Sequence, residues 1–262
     1  MYVDPARSIH MSTEHPVLKK LTPDRPVSLC TVVCFPYAGG GSRVFRGWQR
    51  RMSPLVDAFA VQLPGREERL SEAPESDAER VVAELCKAIE PVATSKIVLF
   101  GHSLGAVLAA RVAQELLGDR SESDAVLVVS GRRSPWSGPV SSEARGLSDS
   151  ELLERLRSEG GPRAELAANE EFAQLMLPAL KADLHLSEAA RGIREGSVRI
   201  PVIGLYGRHD EGTPPRYVRP WSRLTTGGFR SVEIDGGHFF VETKASDVIE
   251  IVDATARRVI GL

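Results

Sequence analysis

Six short apolar runs rich in β-branched residues recur along the chain, at 27–35, 58–63, 96–101, 124–130, 200–206 and 229–234. They are apolar on consecutive rather than alternate positions, the pattern of strands covered on both faces, as in a parallel sheet. Helical patterns lie between them. Residues 76–90 open with a polar Ser-Asp pair and place Val81, Val82, Leu85 and Ile89 on one stripe. Residues 104–117 are apolar almost all round, as suits a helix packed on a central strand, and a last helix over about 246–260 turns Val248, Ile249, Ile251 and Val252 inward. Strands alternating with helices build βαβ units. The expected architecture is α/β: a mostly parallel sheet of six to seven strands with helices on both faces.

One stretch breaks the alternation. Between about 136 and 195 only helical patterns appear, with Ser148 and Glu151 at capping-box spacing ahead of Leu152, Leu153 and Leu156. A second segment carries Phe172, Leu175, Met176, Leu177, Leu180, Leu184 and Leu186, and Gly160-Gly161-Pro162 separates the two. Sixty residues exceed an ordinary connection, so this segment reads as a helical lid inserted into one domain spanning 27–262. Residues 1–26 are polar, contain four prolines and read as a flexible tail.

Composition narrows the function classes. Thirty-three basic against 35 acidic residues leave a net charge of −2, without the basic excess of a nucleic-acid binder. No apolar run reaches the roughly 20 residues of a membrane span, and the N-terminus has no apolar signal core, which points to the cytoplasm. Cys30 and Cys34 share one face of a strand and read as reduced core residues. No cysteine or histidine cluster has zinc spacing.

The chemistry centres on Gly101-His102-Ser103-Leu104-Gly105, a G-x-S-x-G motif directly after the strand at 96–101 and directly before the helix at 104–117. A nucleophile elbow requires that strand–turn–helix context, because it holds the serine hydroxyl above the sheet edge. A serine needs a base, and the base an orienting acid. Of six histidines only His238, in a Gly-Gly-His loop after the last strand, follows both the serine and an acid at a strand end. Asp210, just past the strand at 200–206, is the chosen acid; Glu211 and Asp235 are its rivals. The oxyanion donors are expected to be Leu104 N–H and Tyr37 or Ala38 N–H, in the loop Phe35-Pro36-Tyr37-Ala38-Gly39-Gly40-Gly41-Ser42. Those glycines do not form a phosphate loop, since no Gly-Lys-Ser/Thr follows.

With these residues in place, the chain resembles the type II thioesterases of polyketide and non-ribosomal peptide synthases, a branch of the α/β-hydrolase fold. The resemblance rests on FPYAGGGS at 35–42, QLPGREER at 62–69, FGHSLGA at 100–106, LPALKADLHLSE at 177–188, YGRHD at 206–210 and GGHFF at 236–240. It implies a catalytic triad of Ser103, Asp210 and His238 and an editing role: hydrolysis of stalled acyl groups from the phosphopantetheine arm of acyl or peptidyl carrier proteins. Met176, Leu177, Leu180 and Leu184 would then line an apolar acyl chamber. Carrier proteins are usually acidic, which makes Arg43, Arg46, Arg50, Arg51, Arg66, Arg69, Arg132 and Arg133 candidates for a basic dock. The expected protein is a stand-alone monomer with no cofactor, no metal, and no nucleic-acid or membrane partner. A chain-terminating thioesterase, a general carboxylesterase and a non-catalytic binding protein of the same fold are the alternatives.

Overall fold

A computed structural model describes residues 16–118, 120–121, 123–138, 147–158, 169–187 and 192–262. Seven strands form one sheet: β1 (Leu18–Lys20), β2 (Cys30–Phe35), β3 (Val56–Val61), β4 (Ile97–His102), β5 (Ala125–Ser130), β6 (Val202–Gly207) and β7 (Phe229–Ile234). Their order is β1-β3-β2-β4-β5-β6-β7. Only β1 runs antiparallel, pairing Leu18 with Val61; all other pairs are parallel.

All six expected strands are present, and β1 is a seventh that the tail reading missed. Residues 16–26 are therefore not a tail. Val17 and Leu18 are buried, and the Arg25 guanidinium donates to the carbonyls of Ser53 and Val56. A three-residue strand is too short to show a period, and its charged and prolyl neighbours mask its apolar pair. Residues 1–15 lie outside the described residues.

Among the described residues five long helices occur, α1 (Ala78–Ile89), α2 (Leu104–Leu117), α3 (Asp149–Ser158), α4 (Glu170–Leu186) and α5 (Ala245–Val259). Asp77 caps α1 by accepting from the N–H groups of Glu79 and Arg80. Consecutive residues of β4 point to opposite faces. Ile97 and Leu99 join the core beneath α1 and α2, while Val98 and Phe100 join the core beneath α5, together with Cys30 and Cys34. A sheet buried on both sides explains why its strands lack an alternating pattern.

The insertion forms the two expected helices, and no strand occurs in it among the described residues. Glu151 accepts from Ser148 N–H at 2.7 Å, closing the capping box of α3, and Asn169 caps α4. Leu152, Leu153 and Leu156 of α3 pack against Ala173, Leu177 and Leu180 of α4, with Ala38 and Leu184 at the edge of this cluster. Leu186, in the last turn of α4, belongs instead to the core under the sheet. The insertion is thus rooted at its C-terminal end. The Gly160-Gly161-Pro162 break lies outside the described residues.

Candidate active site

Ser103 sits between β4 and α2 with φ +53° and ψ −112°, a left-handed backbone that an L-residue adopts at a cost of order 1–3 kcal/mol. Two glycines make this turn possible. A Cβ at Gly101 would lie 2.1 Å from the Gly105 carbonyl oxygen, and one at Gly105 would lie 2.0 Å from that of Phe35. Neighbouring strands hold the turn: Ser103 N–H donates to Ser130 O at 2.8 Å, and His102 Nδ1 lies 2.9 Å from Ser130 Oγ. His102 is fully buried, which pushes its pKa well below the ordinary value; the nearby charge of His238 acts the same way. It is a neutral structural imidazole. Ser103 itself is half-buried, and Leu104 N–H is the first of a helix whose initial donors have no intrahelical partner.

His238 and Asp210 meet from separate loops. His238 Nδ1 lies 2.7 Å from Asp210 Oδ2, and its ring centroid stands 5.3 Å from that of His102, the residue before Ser103. The loops after β6 and β7 can approach this closely because of Gly207, where a Cβ would lie 2.5 Å from the Gly236 carbonyl oxygen. Asp210 is buried and also accepts from Thr213 Oγ1 and, at 3.0 Å, from Gly212 N–H. Burial pushes its pKa up, but the hydrogen bonds and charge of His238, with Thr213 and Gly212, outweigh that and hold the carboxyl below its usual value. The rivals point elsewhere: Glu211 is exposed, and exposed Asp235 is bound to Arg208 and His209.

The loop expected to complete the oxyanion site lies beside this pair. The Tyr37 ring packs edge-on against Phe239, the residue after His238, at 5.2 Å, and its hydroxyl donates to Glu242. Gly40 N–H donates to Tyr37 O at 2.9 Å, closing a turn with Gly39 at φ +73°. Glu67 accepts from Ser42 N–H, Ser42 Oγ and Arg43 N–H.

Three charged side chains hold this loop in a way the sequence did not predict. Asp183 on α4 accepts Gly39 N–H at 2.6 Å, Arg66 binds Asp183 and the Gly40 carbonyl, and Glu67 holds the next residues. Their signal was present in the PGREER and LKADLHLSE segments. Arg66 and Arg69 are accordingly no dock: both are buried, Arg66 on Asp183 and Arg69 on Glu72 and Glu84. Arg132 donates to the Ser187 carbonyl and Arg133 stacks on Tyr217. Arg43, Arg46, Arg50 and Arg51 are exposed and have no carboxylate partner among the described residues.

The apolar residues of the insertion divide. Leu177 and Leu180 are buried in the seam between α3 and α4, because a two-helix insertion must first cover its own contact face. Leu184 is partly buried at the edge of that seam, and Met176 is half-buried. A separate groove of about 1260 Å³ runs between β7 and α5, lined by Val232, Ile251 and Arg258 among others, and includes none of Ser103, Asp210 and His238. Among the described residues no group of histidine, cysteine and carboxylate side chains could hold a metal ion, and no helix is long and apolar enough to cross a membrane.

A serine on a strained strand–helix turn, at the edge of a mostly parallel sheet and beside a buried acid–imidazole pair, defines an α/β-hydrolase. The chain belongs to the thioesterase family, whose thioesterase-domain model matches residues 30–256, and it is a hydrolase acting on thioesters. Thioesterase PikA5 of Streptomyces venezuelae is 32% identical over 227 residues, covering 85% of this chain and 79% of that protein. The RedJ thioesterase from the prodiginine biosynthetic pathway of Streptomyces coelicolor is 32% identical, with a TM-score of 0.78 over 89% of this chain and 92% of that one. The type II thioesterase BorB from the borrelidin biosynthetic cluster is 27% identical, with a TM-score of 0.81 over 93% and 98% of the two chains.

Proposed function

We propose that this enzyme is a stand-alone editing thioesterase that removes stalled acyl groups from the phosphopantetheine arm of carrier proteins in polyketide or non-ribosomal peptide synthesis. The observation that carries the reading is the His238–Asp210 pair, 2.7 Å apart, beside the elbow that holds Ser103. Similarity to BorB and RedJ supports the pathway class. Arg43, Arg46, Arg50 and Arg51, exposed and without a carboxylate partner among the described residues, follow the oxyanion loop and supply positive charge for an acidic carrier. The enzyme works as a cytoplasmic monomer without a cofactor of its own, the phosphopantetheine belonging to the partner.

Ser103 Oγ attacks the thioester carbonyl carbon while His238 Nε2 takes its proton. Asp210 keeps the proton on Nδ1 and stabilises the imidazolium without accepting that proton itself. The oxyanion receives Leu104 N–H and a second N–H from Tyr37 or Ala38. Breaking the C–S bond frees the thiol of the arm, protonated from His238, and leaves an acyl ester on Ser103. Water, deprotonated by His238, then attacks that ester, and the carboxylic acid departs as Ser103 regains its proton.

The test is kcat/KM for one short acyl group presented on a carrier protein, on pantetheine and as a simple ester. The carrier-bound thioester should be hydrolysed fastest. Faster turnover of the ester would overturn the editing role, and preference for a full-length product chain would make the enzyme chain-terminating.

A further inference from the structure

We infer that Asp183 and Arg66 are positioning residues that hold the oxyanion loop in its working conformation from the base of the inserted helix α4. The inference rests on the proposed serine mechanism and adds to it two residues that touch neither substrate nor reacting atoms.

The geometry is specific. Asp183 has no exposed surface, and its Oδ2 accepts Gly39 N–H at 2.6 Å. Arg66, from the loop after β3, binds the same carboxylate in a fork, Nη1 to Oδ2 at 2.6 Å and Nη2 to Oδ1 at 2.8 Å. Arg66 Nη1 also donates to the Gly40 carbonyl at 3.1 Å. Adjacent groups of one turn, the Gly39 N–H and the Gly40 C=O, are thus gripped by the two members of one ion pair.

That turn is the loop expected to present the second oxyanion donor. It runs from Tyr37 to Gly40 and is closed by the Gly40 N–H to Tyr37 O bond, with Gly39 at φ +73° in its third position. Turns of this kind exist in two forms that differ by rotation of the middle peptide, and only one has positive φ at the third residue. Here the middle peptide joins Ala38 to Gly39. Rotating it would withdraw Gly39 N–H from Asp183 and turn the Ala38 carbonyl oxygen toward the carboxylate. Asp183 therefore selects one rotation, through a charge-assisted bond stronger than a neutral one. Arg66 has a second role: its positive charge neutralises Asp183, so that the carboxylate can sit beside the loop without opposing negative charge developing on a bound thioester.

The placement of Asp183 ties this selection to the insertion. Leu186, one turn further along α4, lies in the core under the sheet, whereas Leu180 and Leu184 pack toward α3 and Ala38. Asp183 stands between these two attachments. A displacement of α4 from the loop would break the bond to Gly39 and release the turn.

A buried ion pair can also be merely structural, and the experiment separates the two roles. Asp183→Asn and the charge-free double variant Arg66→Met/Asp183→Leu are compared with wild type for Tm, for kcat and KM on a short acyl pantetheine thioester, and for affinity toward two probes. One probe is a short alkyl boronic acid, which forms a tetrahedral anion on the serine; the other is the matching thioether, which resembles the ground state. Replacing both members of a buried pair by apolar residues commonly restores stability. The double variant is expected to melt near wild type yet keep a kcat lowered 10- to 100-fold, with KM within threefold. Boronate affinity should fall in parallel in both variants while thioether affinity stays unchanged. Recovery of kcat together with Tm in the double variant, or a folded Asp183→Asn enzyme with kcat and boronate affinity within threefold of wild type, would overturn the positioning role. Failure of the serine mechanism itself would show instead in the wild type, as an absence of thioester hydrolysis or of boronate binding.

Discussion

His238 Nδ1 and Asp210 Oδ2 stand 2.7 Å apart although 28 residues separate them, and neither Glu211 nor Asp235 shares that contact. In the proposed mechanism the acid keeps the imidazole in the tautomer whose Nε2 accepts a proton, which an amide at the same place fails to do. Asp210→Asn should lower kcat by about 10⁴-fold with the fold intact. Glu211→Gln and Asp235→Asn should stay within twofold of wild type in the same steady-state assay.

The same pair links stability to pH. Asp210 has a carboxyl pKa held below its usual value, because its hydrogen bonds and the charge of His238 outweigh burial. Such a group stabilises the fold fully above its unfolded value of about 3.9, and the contribution disappears as pH falls through the lower folded value. Measured by calorimetry, the Tm difference between wild type and Asp210→Asn should be widest above about pH 5 and close as pH drops below about 4. A gap that stays constant from pH 6 to pH 3 would contradict this origin.

Gly105→Ala sets helix propensity against packing. Alanine is the better helix former by about 1 kcal/mol, and Gly105 lies in the first turn of α2. Its Cβ would nevertheless meet the Phe35 carbonyl oxygen at 2.0 Å, directly beside the oxyanion loop. The variant should lose about 2 kcal/mol, a drop of roughly 5 °C in Tm, together with most of its activity. A more stable, fully active variant would show that the elbow does not depend on this contact.

The three cysteines should be inert in the native state. Burial raises Cys30 to about 12 and Cys86 to about 11, and raises Cys34 further still. A disulfide reagent at pH 8 attacks the thiolate, so native protein should react slowly and at most at half-buried Cys86, whereas protein in guanidinium should release three equivalents at once.

Much of this site was legible in the sequence because its chemistry coincides with backbone constraints. A serine flanked by glycines at a strand–helix junction needs those glycines for steric reasons, and Gly207 at the end of β6 marks the close approach of the two loops that carry Asp210 and His238. Asp210 was legible through its position past a strand end, and the structure separates it from Glu211 by burial. What stayed hidden depends on contacts between distant segments. Arg66 and Arg69 look like surface charge until their buried carboxylates are seen, and Asp183 is one polar residue in an amphipathic helix until Gly39 and Arg66 surround it. Leu177 and Leu180 have the spacing of a substrate wall and of a helix seam alike, and the structure packs both against α3. Strand β1 was missed because three residues carry no period.

Substitution of the nucleophile is the most direct measurement. Ser103→Ala should preserve the fold and Tm within a few degrees while hydrolysis of an acyl group on a carrier protein falls at least 10³-fold, the scale of losing a triad nucleophile. A correctly folded Ser103→Ala enzyme retaining a tenth or more of wild-type turnover would contradict a mechanism built on Ser103.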